Sequence, residues 1–405
     1  MKWKTVPLDE ITHVVTKGTT PTTMGRQFTS SGINFIKAEA LNGDSSIDSQ
    51  SFAFIDEATH EALARSKLEP DDVLLTIAGA QVGRCGFLRP EHTPANTNQA
   101  VGIVRVDNKK ANPRFVYYFF KLPATFSICQ SLGAAQAAQP NVTLTALRAF
   151  QIPYPKVEEQ DEIAGILSSY DELIENNRRR MALLENAARL LYQEWFVSLR
   201  FPGREHTTVT NGIPAGWQRV PTPEAIDINP TTKLSDEQEH WYVEMADLPT
   251  DSMVIQNAIR RDGRSGSKFR NGDTLLARIT PCLENGKTGF VNFMADGEAG
   301  RGSTEFIVLR SKCVTPEFVY CLARTYTFRE NAVKSMVGSS GRQRVQESCF
   351  EKFMVWIPPH SLLNLFSEFA EPVFHQLKVL HGQNQKLRAA RDLLLPRLMS
   401  GEIAV

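Results

Sequence analysis

The sequence predicts a mixed α/β protein in which two strand-rich globules are each followed by a long helix, the two helices pairing antiparallel. Two observations carry this: a pair of heptad seams and an internal repeat of the frame around them. In KVEEQDEIAGILSSYDELIENNRRRMALLENAARLLYQEWFV, residues 156–197, there is no Pro and one Gly. Its residues Ile163, Leu167, Tyr170, Ile174, Asn177, Met181, Leu184, Ala188, Leu191 and Trp195 step by alternating fours and threes, and only Asn177 is polar. That spacing is a coiled-coil seam, and a continuous helix of about 40 residues would be about 60 Å long. Leu362, Phe366, Phe369, Val373, Leu377, Leu380, Asn384, Leu387, Arg391, Leu394 and Leu398 repeat the stepping at the end of the chain. Two single-seam helices most simply bury their seams on each other, and an antiparallel pairing gives the chain a pseudo-two-fold repeat. Asn177 and Asn384 are the polar notches that would fix the register, and they are expected to lie close together.

The frame repeats as well. Trp3-Lys4-Thr5-Val6-Pro7 returns as Trp217-Gln218-Arg219-Val220-Pro221, and Pro70-Asp71-Asp72-Val73-Leu74-Leu75 as Asn271-Gly272-Asp273-Thr274-Leu275-Leu276. Asn112-Pro113-Arg114-Phe115-Val116-Tyr117 returns as Thr315-Pro316-Glu317-Phe318-Val319-Tyr320, and Gln151-Ile152-Pro153 as Trp356-Ile357-Pro358. The segments 10–70 and 224–270 do not resemble each other. Strands are expected at 33–37, 73–77 and 101–106, and again at 241–245, 274–279 and 306–310. Helices are expected at 115–121 and 318–323, each just after a Pro in the first turn. The expected division is a first globule over 1–155, a long helix over 156–199, a second globule over 200–357 and a second long helix over 358–405. Glu158, Glu159, Asp161 and Glu162 suit the dipole at the start of the first helix, and Pro396 is expected to kink the end of the second.

Composition bounds the function classes. The 405 residues are 42% apolar and 22% charged, typical of a soluble globular protein of two or three domains. No run approaches the apolar length of a membrane span and the first residues have no signal core, so a cytoplasmic location is expected. Six cysteines without CxxC spacing read as reduced thiols, and no metal site is expected. A net charge of zero means that any nucleic-acid contact must come from local patches. The turn Ala78-Gly79-Ala80-Gln81-Val82-Gly83-Arg84 lacks the lysine and spacing of a phosphate loop. Neither a methyltransferase motif nor HExxH is present, so no catalytic residue is assigned.

Several strings, in their order, resemble the specificity subunit of type I restriction-modification systems. They are the two W-x-x-V-P openings, Thr97-Asn98-Gln99, Pro155 with Glu159-Gln160 and Ile163-Ala164, the loop Gly338-Ser339-Ser340-Gly341-Arg342-Gln343, and the ending Leu394-Leu395-Pro396-Arg397-Leu398-Met399-Ser400-Gly401-Glu402-Ile403. The second helix departs from the pattern, with His360-Ser361 where the first has Glu159-Gln160. The resemblance implies a non-catalytic chain with two target recognition domains reading a bipartite double-stranded DNA sequence. It implies two modification subunits that bind S-adenosylmethionine and, in the full assembly, two restriction subunits that use ATP and Mg, with no cofactor on this chain. Glu159 and Gln160 are then candidates for partner docking. A two-headed scaffold that binds protein or glycan partners is the competing reading.

Expected DNA-contacting groups follow from residue type. Arg260, Arg261, Arg264, Lys268 and Arg270 crowd a Gly/Ser-rich loop suited to phosphate gripping and guanine readout. Arg342, Gln343 and Arg344 form a second patch, to which Lys287 and Arg301 are expected to add. In the first globule the candidates are Lys17, Thr20, Arg26, Lys37, Gln81, Arg84, Asn98, Gln99, Gln136 and Gln139, with surface exposure alone as the competing reading for each.

Overall fold

The structure, a computed structural model, describes residues 3–41, 47–134, 140–234, 239–263, 265–339 and 341–405. The chain divides into two compact units, residues 1–176 with 384–405, and residues 177–383. Each is a three-layer α/β assembly.

In the first unit, β1 (Thr5–Pro7) pairs antiparallel with β10 (Gln151–Pro153), so the opening motif and the one before the long helix form a two-stranded ribbon. The central sheet holds β2 (Thr12–Lys17), β6 (Val73–Thr76), β7 (Cys85–Phe87) and β9 (Val101–Val106) in the order β2-β9-β6-β7. The outer sheet holds β3 (Ile33–Ile36), β4 (Ala53–Ile55), β5 (Lys67–Leu68) and β8 (Ala95–Thr97) in the order β4-β3-β8-β5. Every residue of β6 is buried because the sheet is covered on both faces. Val73 and Leu75 join the core under the helices, while Leu74, one step along, joins the core shared with the outer sheet. The helices are α1 (Glu57–Ala62), α2 (Pro113–Lys121), α3 (Pro123–Ala134) and α4 (Leu144–Arg148), followed by the long α5 (Val157–Tyr192). Asn112 caps α2, accepting from the N–H groups of Arg114 (2.8 Å) and Phe115 (3.1 Å), with Pro113 in the first turn.

The second unit copies this topology. After a small hairpin of β11 (Val209–Thr210) and β12 (Ile213–Pro214), β13 (Gln218–Pro221) pairs with β22 (Met354–Ile357) as β1 does with β10. Its central sheet is β14 (Ile226–Ile228), β21 (Phe306–Ser311), β18 (Thr274–Ala277) and β19 (Thr288–Phe290), in that order. The outer sheet is β16 (Ile259–Arg261), β15 (His240–Val243), β20 (Ala299–Gly302) and β17 (Ser267–Arg270), again in that order. The short helices α6 (Thr222–Ala225), α7 (Pro316–Ala323), α8 (Tyr326–Lys334) and α9 (Cys349–Lys352) precede the long α10 (His360–Met399).

Both long helices stand where the heptads lie. In the first unit, Ile163, Ala164 and Leu167 of α5 share a core with Leu395, Leu398 and Met399 of α10. There Asp171 meets Arg391 (2.5 Å) and the Ile174 carbonyl accepts from Asn384 (3.4 Å), so residue numbers run in opposite directions and the helices are antiparallel. Asn177 and Asn384 are both buried. Phe369 was expected in the seam but is 42% exposed. In the second unit α10 buries Leu362, Leu363, Phe366, Ala370, Val373, Phe374 and Leu377, a face of 3.6-residue period turned to the domain core. Helix α10 also runs past Pro396 to Met399. No described helix is long and apolar enough to cross a membrane.

The clearest structural mark of the repeat is a buried ion pair. Asp72, at the entry to β6, receives Arg105 of β9 through Nε and Nη2, both at 2.8 Å. Asp273, at the entry to β18, receives Arg310 of β21 in the same way, both at 2.7 Å. Each carboxylate also accepts the backbone N–H three residues before it, from Glu69 and Arg270 respectively, at 2.8 Å in both. Between them the chain turns through a left-handed residue, Asp71 (φ 69°) or Gly272 (φ 88°).

Candidate nucleic-acid interface

In the first unit two separate polar groups form. At the end of β2 the turn from Lys17 to Pro21 lies directly on the Thr97–Gln99 stretch. A Cβ at Gly18 would stand 2.1 Å from the Thr97 carbonyl oxygen and 2.4 Å from that of Asn98, so only glycine permits the approach. The Gly18 N–H donates to Val101 (3.2 Å) and the Thr19 N–H to Thr97 (3.0 Å). Thr20 Oγ1 donates to Gln99 Oε1, and Arg65 donates to Thr19 Oγ1 at 3.2 Å. Lys17, Thr20, Asn98 and Gln99 are therefore brought together, joined by Arg65, which sequence reasoning passed over because nothing local marks it. The buried Asn98 Oδ1 has no hydrogen-bond partner.

The second group gathers around Ala38. With its amide turned to satisfy both ends, Gln81 donates to the Ala38 carbonyl (3.3 Å) and accepts from Arg84 (3.2 Å). Lys37 lies 4.7 Å from the Phe28 ring centroid and 4.0 Å from Glu39. Arg26 stands apart, its guanidinium 3.5 Å from Thr59 Oγ1 on α1. Gln136 and Gln139 lie outside the described residues. On α1, Glu57, His60 and Glu61 bring potential ligand atoms within 4.8 Å of one another, but His60 Nδ1 is hydrogen-bonded to Asn96 and Glu61 is paired with Lys67.

In the second unit the cation-rich loop is divided by the fold. Arg260 and Arg261 lie on β16, one edge of the outer sheet, whereas Lys268 and Arg270 lie on β17, the opposite edge. Arg260 sits 5.0 Å from the Trp241 ring centroid and pairs with Glu298. The Ala295 N–H, followed by Arg260, holds the Glu298 carboxyl below its ordinary range. Arg261 stacks 3.5 Å from the Tyr242 centroid and pairs with Glu244 at 3.1 Å. Both arginines are thus largely neutralised by neighbours. Arg270 is exposed, with no ion pair among the described residues, and Arg264 lies outside them. Gly266 (φ 115°) permits the entry to β17, since a Cβ there would meet the Gly302 oxygen at 2.0 Å.

One further expectation is corrected. Arg301 is only 2% exposed, the largest fully buried side chain in the protein's described core, because β20 is an inner strand of the outer sheet. Lys287, half-buried, donates to the Met245 carbonyl at 2.7 Å. In the loop before α9, the backbone of Val337 and that of Arg344 exchange hydrogen bonds of 3.1 and 2.9 Å. Gln343 is tied by its backbone to Thr280, and Arg344 is held by Glu305, whose carboxyl it keeps below the ordinary range. Arg342 is left exposed. The corresponding turn of the first unit is tied in the same way, Gly79 N–H to Pro140 (3.0 Å) and Val142 N–H to Ile77 (2.8 Å).

Gln160 is also corrected as a docking residue. It is 0% exposed, accepting from the Asn112 N–H (2.9 Å) and donating to the Pro155 carbonyl (3.0 Å), so it anchors the start of α5. Glu159 accepts from the Lys156 N–H at 3.2 Å and caps the same turn. Exposed amides, single free arginines and a lysine on glycine-set turns can grip phosphates and meet base edges.

Residues 1–186 match the family described as the type I restriction modification DNA specificity domain. The chain is 26% identical over 361 residues to the type I restriction enzyme MjaIX specificity subunit of Methanocaldococcus jannaschii, covering 84% of this chain and 79% of that one. It is 30% identical over 154 residues to the type I restriction enzyme EcoAI specificity subunit of Escherichia coli, covering 36% of this chain and 26% of that one. The solved S subunit of a type I restriction-modification system from M. genitalium shares the fold, with a TM-score of 0.60 at 14% identity over 98% of this chain and 96% of that one.

Proposed function

We propose, since this chain belongs to the specificity subunits of type I restriction-modification systems and serves DNA sequence recognition, that it reads a bipartite target with one half-site per recognition domain. The observation that carries this is the duplicated topology: the same two sheet orders occur in each unit, while the segments that feed the outer sheets differ in sequence. One frame with two unlike sets of loops suits two unlike half-sites. In the first unit the reading group is Lys17, Thr20, Asn98 and Gln99, with Lys37, Gln81 and Arg84 beside it and Arg26 further off. In the second it is Lys268, Arg270, Arg342 and Gln343. Arg260, Arg261 and Arg344 would join only by exchanging a carboxylate for a phosphate.

Modification subunits carrying S-adenosylmethionine, and restriction subunits using ATP and Mg, are the partners of this reading, and this chain supplies sequence choice. Docking is better supported along the outer faces of the long helices than at Glu159 and Gln160. Ile166 and Leu173, and separately Leu183 (70% exposed) and Leu190, face solvent on α5, and Leu393 (71% exposed) on α10. Apolar side chains in such positions suit a helical partner.

Mapping adenine methylation in the host genome tests the reading. A two-part motif that vanishes when this gene is deleted is expected, together with co-purification of a methyltransferase. Methylation unaffected by the deletion, or capture of protein or glycan partners alone, would overturn it. Arg270→Ala and Arg342→Ala should each weaken binding to the mapped target and lower the slope of log affinity against log salt by about 1. Salt titrations that superimpose on the unmodified protein would remove both residues from the interface.

A further inference from the structure

Each unit joins its recognition domain to a long helix through one buried carboxylate. In the first, Asp171 of α5 accepts from Tyr118 Oη on α2 (2.9 Å) and, through its other oxygen, from Arg391 of α10 (2.5 Å). Recognition-domain helix, first long helix and second long helix thus meet on one side chain. Both charged partners are 5% exposed at the side chain, and Arg391 reaches on to Asp392 at 2.8 Å. In the second unit, Glu185 of α5 accepts from Tyr320 Oη on α7 (2.5 Å) and from the Met253 N–H (2.8 Å). Helices α2 and α7 both pack on the central sheets.

The two joints are not copies. The repeat aligns Tyr320 with Tyr117, not with Tyr118, and α5 contributes the carboxylate to both units. Apolar packing surrounds both joints already, through Phe115 and Phe119 in one unit and Phe318 and Leu322 in the other. Burying a carboxylate is a costly way to add adhesion, since a well-packed apolar substitute is often equally stable. What it adds is direction, because hydrogen bonds to a charged oxygen have narrow geometry while apolar contacts tolerate sliding.

We propose that Asp171 and Glu185 are positioning residues for DNA recognition, each locking one recognition domain to its segment of long helix and so setting how sharply an altered half-site spacing is rejected. This rests on the bipartite reading above. The test uses the full chain with its methyltransferase partner and three duplexes: the methylation-mapped target, and the same half-sites with the spacer longer or shorter by one base pair. Tyr118→Phe and Tyr320→Phe each delete one hydroxyl. The double variant is expected to reduce the ratio of affinities between natural and altered spacers by about tenfold, through tighter binding of the altered duplexes. Affinity for a duplex with a single half-site should not change. Asp171→Asn and Glu185→Gln should reproduce the loss if the phenylalanine variants prove poorly folded. A wild-type protein indifferent to spacer overturns the bipartite reading, and the proposal with it. A discriminating wild type whose variants discriminate equally, or whose variants lose all affinities in parallel, overturns the proposal alone.

Discussion

An Asp273→Ala variant is expected to lose about 3–5 kcal/mol of stability in the second unit, because it leaves the Arg310 guanidinium buried without its bidentate partner. Arg310 would keep only its hydrogen bond to Thr232 Oγ1 (2.9 Å), and the Arg270 N–H would lose its acceptor. A loss of that size is a large share of a domain's net stability. Urea denaturation should show the second unit unfolding well before the first. The repeat supplies the control: in Asp72→Ala, Arg105 is 23% exposed at the side chain and retains Glu69 at 2.6 Å, so the cost should be clearly smaller. Equal losses in both variants, or less than about 1 kcal/mol in Asp273→Ala, would show that the pairs do not bear on stability as argued.

Gly18→Ala is expected to disable the first reading group while leaving the second intact. The added methyl would stand 2.1 Å from one backbone oxygen and 2.4 Å from another, and backbone cannot yield as a flexible side chain can. The turn carrying Lys17 and Thr20 would lift from Thr97–Gln99, breaking the Thr20–Gln99 hydrogen bond and the Gly18–Val101 one. Overpacking of this kind costs about 1–3 kcal/mol, which corresponds to roughly a five- to 150-fold loss of affinity for a duplex carrying both half-sites. Affinity for the second half-site alone should be unchanged. Gly382→Ala, a helical site with nothing within 4 Å, serves as the comparison and should behave as wild type. Undiminished affinity in Gly18→Ala would take this turn out of the interface.

Much of the fold was legible because its signals are local. The four-three stepping marked both long helices, and proline followed by an aromatic-rich run marked α2 and α7. The β-rich runs at 73–77, 101–106 and 306–310 became β6, β9 and β21. The W-x-x-V-P and x-I-P strings were visible as repeats, yet nothing in either announced that they pair with each other across more than a hundred residues. Asp71-Asp72 read as turn-makers, which holds for Asp71 with its positive φ, whereas Asp72 is the acceptor of an arginine on another strand.

The candidate interface was less legible, for a related reason. A run of arginines and lysines gives residue type but not the neighbours that decide whether a charge is free. The sequence by itself determined the duplicated frame, the two struts and the polar chemistry of the loops, since periodicity, turn chemistry and repetition act over a few residues. Only the tertiary structure decided that Arg301 is buried, that Arg260, Arg261 and Arg344 already have carboxylates, that Gln160 anchors a helix start and that Gly18 presses one loop onto another. Charge pairing and close backbone approach join residues tens of positions apart, and no local pattern encodes such partners.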